Sequence, residues 1–169
     1  GVTTEIIAPD GLTLAPLSAK NLRMYGWYLS GILGQPPDDL DMSSVEASKA
    51  NYHRKTSCNV ATFAGHGPIR LEAAGMQDVP LAGTKLETAK RLLSESLEQG
   101  AVGFSTGLSY YPQSWSDTDE LSTLMKVSKE FDRPMSIHLR NHNTDRAFGG
   151  GGVVEAIEVA KRTGTKLHF

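Results

Sequence analysis

The sequence predicts an α/β protein built on a parallel β-sheet, and three observations support this prediction. Strand-like segments alternate with segments of helical periodicity, which is the order that right-handed crossovers between parallel strands produce. The clearest helix, 86–99, has one apolar face and ends before Gly100. Polar or ionisable residues also follow several of the predicted strands.

Composition limits the classes of protein to which the chain can belong. It has 169 residues, 39% hydrophobic and 21% charged, with a formal net charge of −2, which is typical of a globular domain with one core. It contains no run of charges and no apolar run of membrane-spanning length, so we expect neither nucleic acid nor a membrane as a partner. The single Cys58 excludes an internal disulfide and favours a reducing, cytoplasmic location.

The first half of the chain is predicted to contain two strands and two helices. Ala8-Pro9-Asp10-Gly11 is a turn signal that ends the first strand, and Gly34 with Pro36-Pro37 ends the first helix. The second strand leads directly into Gly65-His66-Gly67-Pro68, so His66 lies just past a strand, and its flanking glycines allow close approach of the backbone to a ligand or to a neighbouring loop. The predicted ranges are strand 1–7, helix 18–33, helix 43–53 and strand 59–64.

The second half repeats the alternation more clearly. Ser116 and Asp117 are candidate caps for a helix that ends before Pro134. The segment 141–152, which includes four consecutive glycines, is predicted to be a flexible loop or a lid. The other predicted ranges are helix 86–99, strand 101–105, strand 134–140, helix 153–163 and strand 166–169.

The strand 134–140 carries the first candidate site residue. Side chains alternate along a strand, so Met135 and Ile137 should lie on one face and Ser136 and His138 on the other. Imidazole is the commonest protein ligand for metals such as zinc. His138 is therefore a candidate metal ligand, and the alternative is a structural histidine that is held by hydrogen bonds.

Four sets of residues follow predicted strands: Asp10, His66, Ser105 with Tyr110, and His138. Such a series is typical of the catalytic face of a parallel βα barrel. Five strands cannot close a barrel of eight, and both ends of the chain fall within predicted strands. We therefore predict that residues 1–169 form one partial domain from the interior of a larger barrel, with an open doubly wound sheet as the alternative.

Several blocks of the sequence resemble the N-acyl-D-amino-acid deacylases (D-aminoacylases) of the amidohydrolase superfamily. The most specific block is 100–108 with Tyr110 and Pro112. The resemblance implies about strands 2 to 6 of a (β/α)8 TIM-type barrel with the fold of a metal-dependent hydrolase. It also implies a flanking β-sandwich and further strands that this chain lacks. The other blocks are 1–4 with 11–16, 59–62 with 65–67 and Arg70, and 138–141.

The resemblance also implies an activity, which is hydrolysis of the amide bond of small N-acyl-D-amino acids with zinc or another divalent metal as cofactor. His138 matches the metal ligand on the fifth strand of the family. Asp10 stands where many members carry a metal-binding cysteine, and a carboxylate is a competent ligand for zinc. Tyr110 matches a residue of the substrate pocket, and His66 matches a recurrent histidine near the site, so both are predicted to bind substrate.

Other residues of the family's site are expected outside this chain. The aspartate that serves as general base would lie beyond Phe169. His168 is not expected to be a ligand, because the alternation of side chains along a strand gives it the wrong direction. The isolated chain is therefore expected to be inactive and to bind zinc weakly, and its oligomeric state is left open.

Two rival functions remain open at this point. A cyclic-amide hydrolase of the hydantoinase or dihydropyrimidinase type commonly uses a carboxylated lysine as a bridging ligand, but no predicted strand end here offers a matching lysine. The second rival is a truncated barrel that has no catalytic function.

Overall fold

The computed structural model describes residues 1–140 and 151–169. None of the helices in these residues is long and apolar enough to cross a membrane. The described strands are β1 (Thr4–Ile7), β2 (Asn59–Thr62), β3 (Ala64–Gly65), β4 (Phe104–Gly107), β5 (Met135–His138) and β6 (Leu167–His168). The helices are α1 (Ala19–Tyr28), α2 (Ser30–Leu33), α3 (Val45–Tyr52), α4 (His66–Ala74), α5 (Thr84–Glu98), α6 (Thr118–Glu130) and α7 (Gly152–Thr163), with a 3-10 turn at Gln113–Trp115.

The described strands are all parallel and are arranged side by side in the order of the sequence. β1 pairs with β2, and β3, β4, β5 and β6 form a second run of neighbours. β2 and β3 belong to one interrupted segment, in which Phe63 N–H bonds Ile7 O and Ala64 N–H bonds Gly103 O. A doubly wound sheet reverses its strand order, whereas a barrel does not, so this is a sector of a parallel βα barrel.

The main core lies between the sheet and helices α4 to α7. The strands contribute Phe104, Met135 and Ile137, which are all buried. Helices α5, α6 and α7 cover them. α7 does so with only part of its apolar residues, because Val153, Val154 and Ile157 are exposed. The buried apolar residues of these three helices are Ala89, Leu93, Leu97, Leu121, Leu124, Met125, Val127, Ala156 and Val159.

The fold departs from the sequence prediction mainly at two segments. The segment after Gly65, for which the sequence predicted no helix, forms α4, and Pro68 is tolerated there because a proline in the first helical turn removes no hydrogen bond that the helix needs. The predicted helix 18–33 is divided into α1 and α2. The predicted loop 141–152 lies for the most part outside the described residues.

Candidate functional site

The two faces of β5 have different surroundings, as the alternation of its side chains predicts. Met135 and Ile137 belong to the core beneath the helices. Ser136 pairs with Ser105 of β4, and His138 pairs with Gly107. Ser136 and His138 therefore face the interior of the barrel, and His138 stands exposed at the carboxyl end of its strand.

A cleft of about 620 Å³ opens at this end of the sheet. Asp10, His138 and His168 are all among the residues that line it. The structure thus brings the two predicted metal ligands to one cleft. The predicted direction of His168 is wrong, because His168 pairs with Ser136 and its Nδ1 lies 3.3 Å from Ser136 Oγ. His168 therefore lies on the same face as His138.

Gly107 provides the space in which the site residues meet. A Cβ atom at this position would clash with the carbonyl oxygen of Asp10 and would lie 2.7 Å from Cδ2 of Tyr110. Gly107 is also the register partner of His138. The absence of a side chain therefore allows the Asp10 carbonyl and the Tyr110 ring to pack on β4 next to the position where His138 ends β5.

Tyr110 stands beside His138 with the edge of one ring against the face of the other. The ring centroids are 5.1 Å apart and the planes meet at 74°. The same tyrosine packs against the smaller apolar cluster that includes Leu12 and Tyr25. Tyr110 thus lies between that cluster and the candidate ligand His138.

His66 does not lie at this cleft, which corrects the prediction that it contacts substrate. Its side chain is fully buried, with Nδ1 2.9 Å from Thr106 Oγ1 and Nε2 2.9 Å from Glu120 Oε1. Thr106 pairs with the core residue Ile137 and thus points toward the helices. His66 is therefore on the opposite face of the sheet from His138.

Arg70 completes this buried group. Its Nε donates to Glu120 Oε1 at 3.0 Å, and its Nη2 donates to Val79 O at 2.6 Å. Burial lowers the pKa of His66 and outweighs the hydrogen bond and negative charge of Glu120, which raise it. Burial raises the pKa of Glu120, but the bond from His66 and the charge of Arg70 have the greater effect and lower it. These directions describe a neutral His66 that donates from Nε2 to an ionised Glu120 and accepts from Thr106.

A second buried ion pair includes Arg140, which is one of the residues that line the cleft. Arg140, two residues after His138, donates from Nε to Glu155 Oε2 of α7 at 2.9 Å. Its remaining donors bond Ser114 O at 2.6 Å and Ser116 O at 2.7 Å. Arg140 thus connects the end of β5 to α7 and to the segment that follows Tyr110.

The donor atoms at the cleft fit a divalent metal in chemical type. A carboxylate oxygen and an imidazole nitrogen are both ordinary zinc ligands, but zinc normally takes three or four protein donors. Within the described ranges, no group of three or more His, Cys, Asp or Glu side chains is arranged to hold a metal ion. This part of the chain therefore offers a partial ligand set.

A larger cavity, of about 690 Å³, lies at the amino ends of β1 and β2 and is lined by His53, Arg54 and Cys58 among others. Cys58 is a free thiol. The sites of βα barrels lie at the carboxyl ends of the strands, so this cavity is not the candidate site.

Sequence reasoning missed the two buried carboxylates, Glu120 and Glu155, that pair with Arg70 and Arg140. Glu120 is the third residue of α6, and an acidic side chain in the first turn is usually explained by its favourable interaction with the helix dipole. The sequence pattern similarly predicts Glu155 as a surface residue of an amphipathic helix, but its side chain is fully buried. The signal available in the sequence was that Arg70 and Arg140 lie in blocks that resemble the family. Each of these arginines, once buried, needs an acidic partner, which is Glu120 for Arg70 and Glu155 for Arg140.

Comparison with known proteins identifies the class to which this barrel sector belongs. No protein-family model matches the chain. It is 29% identical to an N-acyl-D-glutamate deacylase of Alcaligenes xylosoxydans xylosoxydans, over 97% of this chain and 32% of that protein. It is 30% identical to a D-aminoacylase of the same organism, over 99% of this chain and 32% of that protein.

A solved structure gives the same result. The crystal structure of N-acyl-D-glutamate deacylase from Bordetella bronchiseptica, complexed with zinc and a phosphonate mimic of the tetrahedral intermediate, superposes with a TM-score of 0.78 at 29% identity. The match covers 99% of this chain and 34% of that one. A D-aminoacylase structure with a TM-score of 0.76 and 19% identity shares the fold.

The chain is thus a sector of an amidohydrolase barrel, and it spans about a third of the length of the relatives that it matches. Within the amidohydrolases, it belongs to the N-acyl-D-amino-acid deacylase family.

Proposed function

We propose that this chain is part of a metal-dependent hydrolase that cleaves the amide bond of N-acyl-D-amino acids to give a D-amino acid and a carboxylate. The observation that carries the proposal is that Asp10 and His138 line one cleft at the carboxyl ends of the strands, with the ring of Tyr110 packed against the ring of His138. The relatives support it, because those that match this chain are deacylases of N-acyl-D-glutamate and N-acyl-D-aspartate and a D-aminoacylase.

The chain's own residues would contribute binding and orientation. His138 and Asp10 would supply a nitrogen and an oxygen ligand to a divalent metal, with zinc as the first candidate. When bound, such a metal supplies a water of lowered pKa and polarises the scissile carbonyl. Tyr110, whose ring is held against His138, would direct its hydroxyl to the substrate next to that carbonyl. The general base would come from the part of the enzyme outside this chain.

The full-length protein that contains this chain provides the test of the reaction. We expect zinc-loaded protein to hydrolyse N-acetyl-D-amino acids, including N-acetyl-D-glutamate, and to leave their L-enantiomers and dihydrouracil unchanged. Preferential opening of dihydrouracil would replace the proposal with a cyclic-amide hydrolase. Absence of turnover on every amide, in folded protein that contains metal, would favour a non-catalytic barrel.

Location in the cytoplasm is part of the same proposal, and the support for it is the free thiol of Cys58.

A further inference from the structure

The turn that carries Asp10 is held on the sheet by the side chain of one residue. Ser105 is fully buried on β4, and its Oγ donates to Ala8 O at 2.7 Å. The same Oγ accepts from the backbone N–H of Gly11 at 3.1 Å. Ser105 therefore bonds the backbone on both sides of Asp10, at Ala8 before it and at Gly11 after it.

The remaining contacts leave Ser105 as the main polar attachment of this turn. The Gly67 N–H reaches Gly11 O at the longer distance of 3.3 Å. The carboxylate of Asp10 accepts from Leu12 N–H, also at 3.3 Å, which is a bond within the turn itself. Gly11 has φ +77° and lies so close to β4 that a Cβ atom would be 2.8 Å from Thr106 Cα. The turn is thus closely packed on β4, with Ser105 as the hydrogen-bonding group beneath it.

Ser105 shares the interior face of the sheet with the candidate ligand His138. It pairs with Ser136, and Gly107, two residues after Ser105, pairs with His138. Ser105 does not line the cleft itself. Any effect of its hydroxyl on the site would therefore pass through the turn that it holds.

We propose that Ser105 is a positioning residue, which sets the place of the Asp10 carboxylate relative to His138 and thereby the affinity of the site for a divalent metal. This inference rests on the proposed function, because it takes Asp10 as a ligand. Partners that orient a ligand commonly change metal affinity by 10- to 100-fold when they are removed.

Zinc affinity of the full-length protein, measured by competition with a chelating dye, is the primary test. We expect Ser105→Ala to weaken zinc binding by about 10-fold or more. The matched control is Ser128→Ala, which also deletes a fully buried hydroxyl but one that bonds Arg133 O at the far end of α6. The control is expected to keep the affinity of the wild type. Equal zinc affinity in Ser105→Ala and the wild type would overturn the proposal.

A double-mutant cycle shows whether the effect passes through Asp10. Asp10→Asn removes the charged ligand, and it is expected to weaken zinc binding by itself. In that background, Ser105→Ala should cause little further loss, because interacting sites are not additive. A loss as large as in the wild-type background, or an Asp10→Asn variant with unchanged affinity, would contradict a positioning role through Asp10.

Hydrogen exchange provides a second measurement that needs no variant. If Ser105 and the metal hold the same turn, zinc should slow exchange in a peptide that spans residues 8–12, relative to the metal-free protein. Unchanged exchange in that peptide on zinc binding would contradict the proposal. These readouts are separate from turnover, so an inactive wild type would refute the deacylase function without deciding the role of Ser105.

Discussion

At the scale of single residues, Gly107 is the position near the candidate site where the packing requires a glycine. It allows the Asp10 carbonyl and the Tyr110 ring to pack on the sheet beside His138. No larger residue fits there unless the turn or the ring moves. This explains why a glycine stands in the sequence block that most closely resembles the deacylases.

Gly107→Ala is therefore expected to abolish most of the activity of the full-length enzyme and to weaken its metal binding. A misplacement of about 1 Å can reduce a rate by about 100-fold. The matched control is Gly31→Ala in α2, where a Cβ atom would meet nothing within 4 Å. Steady-state kinetics and zinc titration of both variants provide the test, and normal activity in Gly107→Ala would contradict the packing described here.

His66 and Glu120 predict a pH dependence of stability. Both have a lowered pKa in the folded protein. In an unfolded chain, histidine takes up a proton at about pH 6.5 and glutamate at about pH 4.3. At these pH values the buried His66 and Glu120 of the folded protein remain unprotonated, because their pKa values are lower. The unfolded state thus binds more protons, and the contribution of each group is present above these values and is lost as pH falls.

We expect the free energy of unfolding of the full-length protein to fall between pH 7.5 and pH 5.5, with a further loss near pH 4. His66→Gln, which cannot be protonated, should flatten the first part of this curve. Urea unfolding at a series of pH values gives the measurement. A wild type and a variant with the same slope above pH 5.5 would show that His66 does not contribute in this range.

At the scale of elements, the buried pair of Arg140 and Glu155 connects β5 to α7. Both side chains are 0% exposed. Removal of one partner from a buried pair commonly costs about 3–5 kcal/mol, because the other charge is left without compensation. The end of β5 that carries His138 is therefore strongly coupled to the helix that follows it.

Glu155→Leu is accordingly expected to destabilise the protein by about 3–5 kcal/mol. A control on the same helix is Glu158→Leu, which removes a partly exposed pair with Arg162 and should cost much less, because solvent weakens an ion pair at the surface. Chemical denaturation of the two variants makes the comparison. Similar losses of stability in both variants would mean that the buried pair of Arg140 and Glu155 contributes no more to the free energy of unfolding than the exposed pair.

At the scale of the whole molecule, the sheet leaves two edges open within the described residues. β1 and β6 each have one neighbour. Val153, Val154 and Ile157 are exposed on α7, and Phe169 is 60% exposed. Unpaired strand edges and apolar patches of this kind promote association.

We therefore expect the 169-residue chain, when produced by itself, to self-associate, to bind zinc weakly and to show no deacylase activity. Light scattering and zinc titration on the isolated chain provide the measurement. A stable monomer that binds zinc tightly and turns over N-acetyl-D-amino acids would show that this sector is a complete enzyme.

The sequence by itself determined the parallel α/β class, most helices and the residues that stand at strand ends. These features depend on local periodicity, turn signals and the alternation of side chains, which the chain carries in its order. For that reason Asp10, Tyr110 and His138 were predictable as candidates, and the structure places Asp10 and His138 at one cleft with Tyr110 beside His138.

Only the tertiary structure decided which face of the sheet each group occupies. His66 follows a strand as His138 ends one, but it begins α4 and turns toward Thr106 and Glu120 beneath the helices. His168 was expected to point away, yet the register of β5 and β6 places it on the same face as His138. Register and helix packing depend on contacts between residues far apart in the chain, and local patterns do not contain that information.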